Sequence, residues 1–280
     1  MSRVDDLMEG AIDLHTHIGP DPRVDRRADA VGVARYARDL GMRGLVLKSH
    51  EYPTAPVAHT VAQVVEGIEV YGGVCLDNEV GGLNPHAVWA SGRMGARVLW
   101  MPTFSARADT AHSRRGEPLD LLDEEGRLRP EVEECLDLAK EFGMAVATGH
   151  ISPREALAVV SACRERGVPA VVTHASSSAV WLGLTLEHQK ALADLGAFLE
   201  HCVHALMPLT LRLPVEEMVA QIRAVGAERC ILSTDFGQDF HPIPPEGLRM
   251  GVAHLLRAGL TEEELDWMVR RNPARLLGLE

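Results

Sequence analysis

Short apolar runs alternate with amphipathic stretches along almost the whole chain. The runs end on polar punctuation: Ala11-Ile12-Asp13-Leu14 on His15-Thr16-His17, Leu45-Val46-Leu47 on Lys48-Ser49-His50, and Arg97-Val98-Leu99-Trp100 on Pro102. Further runs of this kind lie at residues 68–74, 145–148, 170–173, 197–199 and 230–233. Their length and β-branched content suit buried strands. Between them, residues 28–40, 58–66, 85–94, 131–141, 185–195, 215–225, 245–258 and 261–269 carry helical periodicity. Ser152 with Glu155, and Thr261 with Glu264, open helices as capping boxes. Gly41, Gly67, Gly95, Gly143, Gly167, Gly196 and Gly226 close the preceding helices. Strict alternation of strand and helix predicts a parallel sheet, and eight units predict its closure into a (β/α)8 TIM barrel, one α/β domain over residues 1–280. A doubly wound open sheet fits less well, because no Gly-x-Gly-x-x-Gly follows the first strand.

Residues 103–129 break the rhythm. They are polar, carry Arg107, His112, Arg114 and Arg115, and show no period. A loop of that length in a barrel is expected to be an insertion at the active site, a lid or binding loop.

Composition narrows the function. A net charge of −12 argues against a nucleic-acid surface, and no apolar run approaches the roughly 20 residues of a membrane span. Residues 1–10 lack the apolar segment of a secretory signal. The five cysteines are odd in number and show no Cys-x-x-Cys spacing, which predicts reduced thiols in a cytoplasmic protein. The thirteen histidines are many for the length and turn attention to metal chemistry.

Barrel enzymes carry their reactive groups at the C-terminal ends of strands. Those positions hold His15 and His17, Lys48 and His50, His150, His174, Glu200-His201 and Asp235. His15 and His17, two residues apart on a strand, project together and can share one ion. His50, His201 and the loop residue Arg114 are candidates for holding a substrate. His204 follows His201 near the mouth, His241 lies behind it in the loop after strand eight, and Cys202 has no positioned third group that would make it a nucleophile.

The set His15-x-His17, His150, His174 and Asp235 resembles the amidohydrolase superfamily of metal-dependent barrel hydrolases. The ending Asn272-Pro273-Ala274-Arg275-Leu276-Leu277-Gly278-Leu279 resembles the close of many such chains. Residues 13–21, 44–50 and 81–85 resemble a poorly characterised amidohydrolase-related branch. The resemblance implies that His15, His17 and Asp235 bind a divalent metal, with His150 and His174 completing a second site. In its mononuclear form His150 is a ligand and His174 polarises the substrate. Where binuclear members place a bridging lysine or glutamate, at the end of strand four, this chain has Leu99-Trp100-Met101-Pro102. Either one ion is held by His15, His17, His150 and Asp235, or Lys48 supplies the bridge as a carbamate; Lys48 can also pair with Asp235 or a substrate carboxylate.

The expected cofactor is Zn²⁺ or a similar divalent ion, one or two per chain, making hydroxide available near neutral pH. Asp235 is then the proton acceptor, and His174 donates to the carbonyl oxygen. The expected activity is hydrolysis of an amide, cyclic amide, ester or lactone of a small molecule. The alternative is a mononuclear non-oxidative decarboxylase acting on a small carboxylic acid. A phosphoesterase would need more ligands, and a barrel that had lost turnover would not be expected to keep Asp235. Partners are expected to be a small-molecule substrate and, by resemblance, further copies of the chain.

Overall fold

The computed structural model describes residues 3–109 and 116–280. Its strands are β1 (Ile12–His17), β2 (Gly44–Lys48), β3 (Glu69–Tyr71), β4 (Gly73–Cys75), β5 (Val98–Trp100), β6 (Ala145–Ala147), β7 (Ala170–Val172), β8 (Phe198–Cys202) and β9 (Cys230–Ser233). All neighbouring pairs are parallel, in the orders β1-β2-β3 and β4-β5-β6-β7-β8-β9. The two sheets share one barrel strand. The run expected at residues 68–74 is interrupted at Gly72, where a side chain would strike the backbone of Thr54 and Ala55, so β3 pairs with β2 and β4 with β5. The ring closes between first and last strands through Asp235 N–H to the His15 carbonyl (2.9 Å) and His17 N–H to the Phe236 carbonyl (2.8 Å). The (β/α)8 expectation is met with eight barrel strands, the third in two pieces.

Alternation sorts the strand residues into two cores. Ile12, Leu14, Val46, Cys75, Val98, Trp100, Ala145, Ala147, Val171, Phe198 and Ile231 fill the barrel interior. Leu45, Leu47, Leu99, Val146, Val172, Leu199 and Leu232 pack outward under the helices. The C-terminal segment plugs the floor with Ala274, Leu276 and Leu277. Asn272 secures it by donating to the carbonyls of Ala227 and Cys230. No helix among the described residues is long and apolar enough to cross a membrane.

The helices follow the periodicity within a few residues, and both capping boxes form. Two differences concern the site. A helix at Ala175–Trp181, unmarked by any long period, starts directly at His174. The last helical stretch leaves α geometry after Asp266 and continues through a π-turn at Trp267–Arg271.

Register at β1 decides where the histidines point. Asp13 pairs with Leu45 but Thr16 with Leu47, so β1 carries one extra residue between them. Such a bulge inverts the in–out alternation beyond it. Ile12 and Leu14 therefore face inward before the irregularity, and His15 and His17 face inward after it.

Three turns at the barrel mouth need the left-handed region. Gly149 (φ 60°), His174 (φ 34°) and Asp235 (φ 56°) each follow a strand and set a site residue. For the two non-glycines this backbone costs of order 1–3 kcal/mol and persists only where neighbours enforce it. At Gly149 a Cβ would lie 2.3 Å from the Met101 carbonyl oxygen and 2.5 Å from that of Pro102. Gly149→Ala is expected to lower stability by at least about 2 kcal/mol, read by urea unfolding, and to displace His150.

Candidate metal centre

Six histidines face one cavity of about 200 Å³ at the C-terminal end of the barrel or stand in its wall, and five of them line it: His17, His50, His150, His174 and His204. His15 lies just beneath. Lys48, Asp235, Phe104, Trp181, Arg26, Glu51, Val24 and Gln238 complete the lining. The rings form a closed belt with centroid separations from 4.4 to 6.1 Å, running His15, His17, His50, Phe104, His150, Trp181, His174 and back to His15.

Five of these imidazoles are contacted at Nδ1 from other parts of the chain. His15 Nδ1 lies 3.2 Å from Glu200 Oε2, and His50 Nδ1 is 2.7 Å from Thr103 Oγ1. His150 Nδ1 is 2.7 Å from Asp109 Oδ2, and His174 Nδ1 is 3.1 Å from Ser178 Oγ. His17 Nδ1 has a longer contact, 3.5 Å, to Arg26, whose guanidinium is held by Asp21. For His15, His50, His150 and His174 an oxygen partner fixes Nδ1 from behind, turns Nε2 toward the cavity and selects the tautomer that a metal needs, whereas Arg26 can only donate to His17 Nδ1.

The Nε2 atoms of His15 and His17 converge on Asp235. Its Oδ1 stands 3.1 Å from His15 Nε2 and 3.2 Å from His17 Nε2, and His204 Nδ1 lies 3.9 Å from Oδ2. His15, His17 and Asp235 offer ligand atoms all within 4.8 Å of one another. His174 Nε2 is buried and makes no hydrogen bond among the described residues. Nitrogen and carboxylate ligands in this number suit Zn²⁺ or a related divalent ion, so the residues fit the implied group.

Burial, reinforced by Arg26, holds His17 well below the ordinary imidazole value. Burial likewise depresses His50, with Lys48 adding to it, and His174, with His150 adding to it. These rings are neutral at pH 7, as ligands must be. At Asp235 burial opposes ionisation, but His15 and His17 hold the carboxyl well below the usual range. At His15, burial and Lys48 push down while Asp235 and Glu200 outweigh them, giving about 8.

Of the residues singled out in the sequence, the structure brings together His15, His17, Lys48, His50, His150, His174 and Asp235. Lys48 is buried, its Nζ 2.9 Å from His15 Nε2 and 5.5 Å from the centre of the Trp100 ring. It is not paired with Asp235, one of the roles open to it. His201, expected to hold a substrate, does not reach the cavity. It alternates outward with Leu199, and its Nδ1 lies 2.7 Å from Ser176 Oγ in a network with Gln221. Its neighbour Glu200 points inward with Phe198 and reaches His15 and the backbone N–H of His174. Arg114 lies outside the described residues. The loop after strand four does enter the site, through Thr103, Phe104 and Asp109. Of these contributors, Asp109 and Ser178 sit on segments without a strand or a long period to place them, so pattern alone did not mark them.

A family model described as a family of unknown function, DUF6282, matches residues 10–200. A search of curated proteins finds no match. Among solved structures, an amidohydrolase from Pseudomonas aeruginosa superposes with a TM-score of 0.69 at 11% identity, over 99% of this chain and 98% of that one. The probable dipeptidase PvdM from the same organism gives 0.67 at 13% identity, over 98% and 96%. A probable 2-pyrone-4,6-dicarboxylic acid hydrolase from Acinetobacter baumannii, with citric acid bound, gives 0.65 at 13% identity, over 96% and 99%. At these identities the likeness is one of fold: the chain has the barrel fold of amidohydrolase-type enzymes.

Two outcomes follow from the geometry. Removing the Glu200 charge, as Glu200→Gln, is expected to weaken metal binding by about 10- to 100-fold, measured by competition with a chromophoric chelator. The second concerns pH. His17, His50, His174 and His204, with His201 and His241 (each held at about 4 chiefly by burial), are harder to protonate folded than unfolded. Their contribution to stability is full above the unfolded imidazole pKa of about 6.5 and is lost as pH falls toward the folded values. Asp13, raised to about 6 by burial, Glu51, also raised by burial, and His15, raised to about 8, work the other way, but they are three groups against six. The melting temperature of metal-free protein is expected to drop between pH 7 and pH 5 in a calorimetric scan.

Proposed function

The chain belongs to the DUF6282 family, whose function is unknown, and from that premise we propose that this member is a metal-dependent hydrolase of a small molecule. The substrate bond is an amide, cyclic amide, ester or lactone. One observation carries the reading: inward imidazoles gather at the mouth of the barrel, four of them oriented through Nδ1 by an oxygen partner, and His15 and His17 meet the carboxylate of Asp235 there.

His15, His17 and Asp235 would hold the first divalent ion, Zn²⁺ fitting the ligand set, with His150 and His174 beside it. When bound, the ion activates water near neutral pH and polarises the bond to be cleaved. The remaining work falls to the chain. Asp235, the carboxylate nearest the reacting centre, accepts the proton of the attacking water and passes it to the leaving group. His174 Nε2, buried and without a hydrogen bond among the described residues, faces the place where negative charge develops on the carbonyl oxygen. Phe104 and Trp181 flank His150 and exclude bulk solvent from the substrate body. A cavity of about 200 Å³ has room for a compact substrate only.

Strand four ends in the buried ring of Trp100, not in a bridging lysine or glutamate. That favours a single ion and with it a second reading, non-oxidative decarboxylation of a small acid. Release of carbon dioxide instead of consumption of water separates the two.

The test is a comparison of metal-stripped and Zn²⁺- or Mn²⁺-reconstituted protein against a panel of small amides, cyclic amides, esters and lactones. Turnover is expected only in the reconstituted protein. Asp235→Asn is expected to lower kcat by about 10²- to 10⁴-fold, and His15→Ala to reduce metal content in elemental analysis. Full activity in either variant would refute the site.

A further inference from the structure

We propose that the substrate is a small carboxylate anion and that the Lys48 ammonium receives its carboxylate at the floor of the cavity. This rests on the cavity being the substrate site, not on which bond is cleaved.

The charges around the cavity are unevenly matched. Asp235 is met by the charge of His15 and by a hydrogen bond with the neutral His17 ring. Glu51 accepts from Ser49 Oγ at 3.3 Å and faces Arg23 Nε at 3.5 Å. Arg26 is committed to Asp21 through two nitrogens, at 2.9 and 2.5 Å. Lys48 differs. Its side chain is buried, and its contacts are His15 Nε2 and the face of Trp100. Among the described residues no carboxylate oxygen lies within 4.0 Å of its Nζ.

A buried ammonium without a counter-charge is costly, and an aromatic face recovers only part of the lost hydration. A divalent ion held by His15 and His17 would add positive charge beside it. The floor of the loaded site therefore carries cationic charge that the described part of the chain does not balance, whereas its acids are balanced. A ligand that brings a carboxylate satisfies Lys48 and is attracted by the same field. The rest of the molecule meets Phe104, Trp181 and Val24, which suits a compact, largely apolar body. The reading also selects among the roles open to Lys48: a substrate-binding cation rather than a partner of Asp235 or a carbamate bridge.

The test is isothermal titration of the Zn²⁺-loaded protein with benzoate and with its neutral isostere benzamide, in wild type, Lys48→Met and Lys48→Arg. Benzoate is expected to bind wild type at least tenfold more tightly than benzamide. Lys48→Met is expected to weaken benzoate at least tenfold, leave benzamide unchanged and keep the wild-type metal content. Lys48→Arg, which keeps the cation, is expected to retain most of the preference and guards against misfolding of the methionine variant. Equal benzoate affinity in wild type and Lys48→Met would overturn the proposal. So would a carbamate carbon resonance after exposure to ¹³C-bicarbonate that Lys48→Met lacks, or loss of metal in that variant, since each makes Lys48 part of the metal site. No turnover is needed, so carboxylate binding stands or falls separately from hydrolysis.

Discussion

The carboxylate of Asp13 joins the two ends of the barrel, and the metal centre depends on that joint. Its Oδ1 accepts from the backbone N–H of His15 and of Thr234, both at 3.1 Å, and its Oδ2 from the Thr234 hydroxyl at 2.5 Å. Burial pushes the acid up to about 6, and the three donors work against that rise. An unpartnered carboxylate in this position would be strongly destabilising, so the bonds come as a set. What they fix is relative position. His15 and His17 belong to the first strand and Asp235 to the turn after the last, and the joint holds these parts of the chain in register. It also braces the left-handed backbone at Asp235, which no short-range preference would supply.

Around that joint the site is built by division of labour. The strands deliver imidazoles, and other elements aim them. Glu200 comes from strand seven of the barrel, Asp109 and Thr103 from the loop after strand four, and Ser178 from the short helix that begins at His174. Thr103 is itself held by Asp77, which accepts from the N–H groups of Thr103 and Ser105 at 2.9 Å and from the Thr103 hydroxyl. Because each ring is oriented from outside the ion site, the ligand arrangement is fixed by the protein before any ion enters, which is what preorganisation requires.

The parts of this arrangement that could be read in the sequence are those governed by strand punctuation. His15, His17, Lys48, His50, His150, His174 and Asp235 each follow an apolar run, and a parallel barrel necessarily gathers such positions at one mouth. What could not be read was governed by parity and by non-local contact. Glu200 and His201 are adjacent, and choosing which faces inward requires the register of strand seven, which sequence pattern leaves open by one residue. The same uncertainty hides the irregularity in the first strand. Two residues of spacing place His15 and His17 on one side, but only the extra residue between Asp13 and Thr16 puts that side inward together with Ile12 and Leu14. Asp109 and Ser178 matter solely because of the histidine each touches, so they carry no periodic signal.

Strand four makes the same point about chemistry. Its inward position is Trp100, a residue that cannot ligate a metal, and the cation nearest it comes from strand two. The indole ring and the lysine are complementary as a pair: the ring offers a negative face to Nζ, and the lysine reaches toward the floor of the site beside His15. In this barrel strand four carries bulk and strand two carries charge, and the buried cation stands beside the Trp100 ring. In the proposed reading, the charge that meets a substrate carboxylate therefore sits on strand two. The aromatic belt above it, from His50 through Phe104 to Trp181, sets how large a body can be attached to that charge.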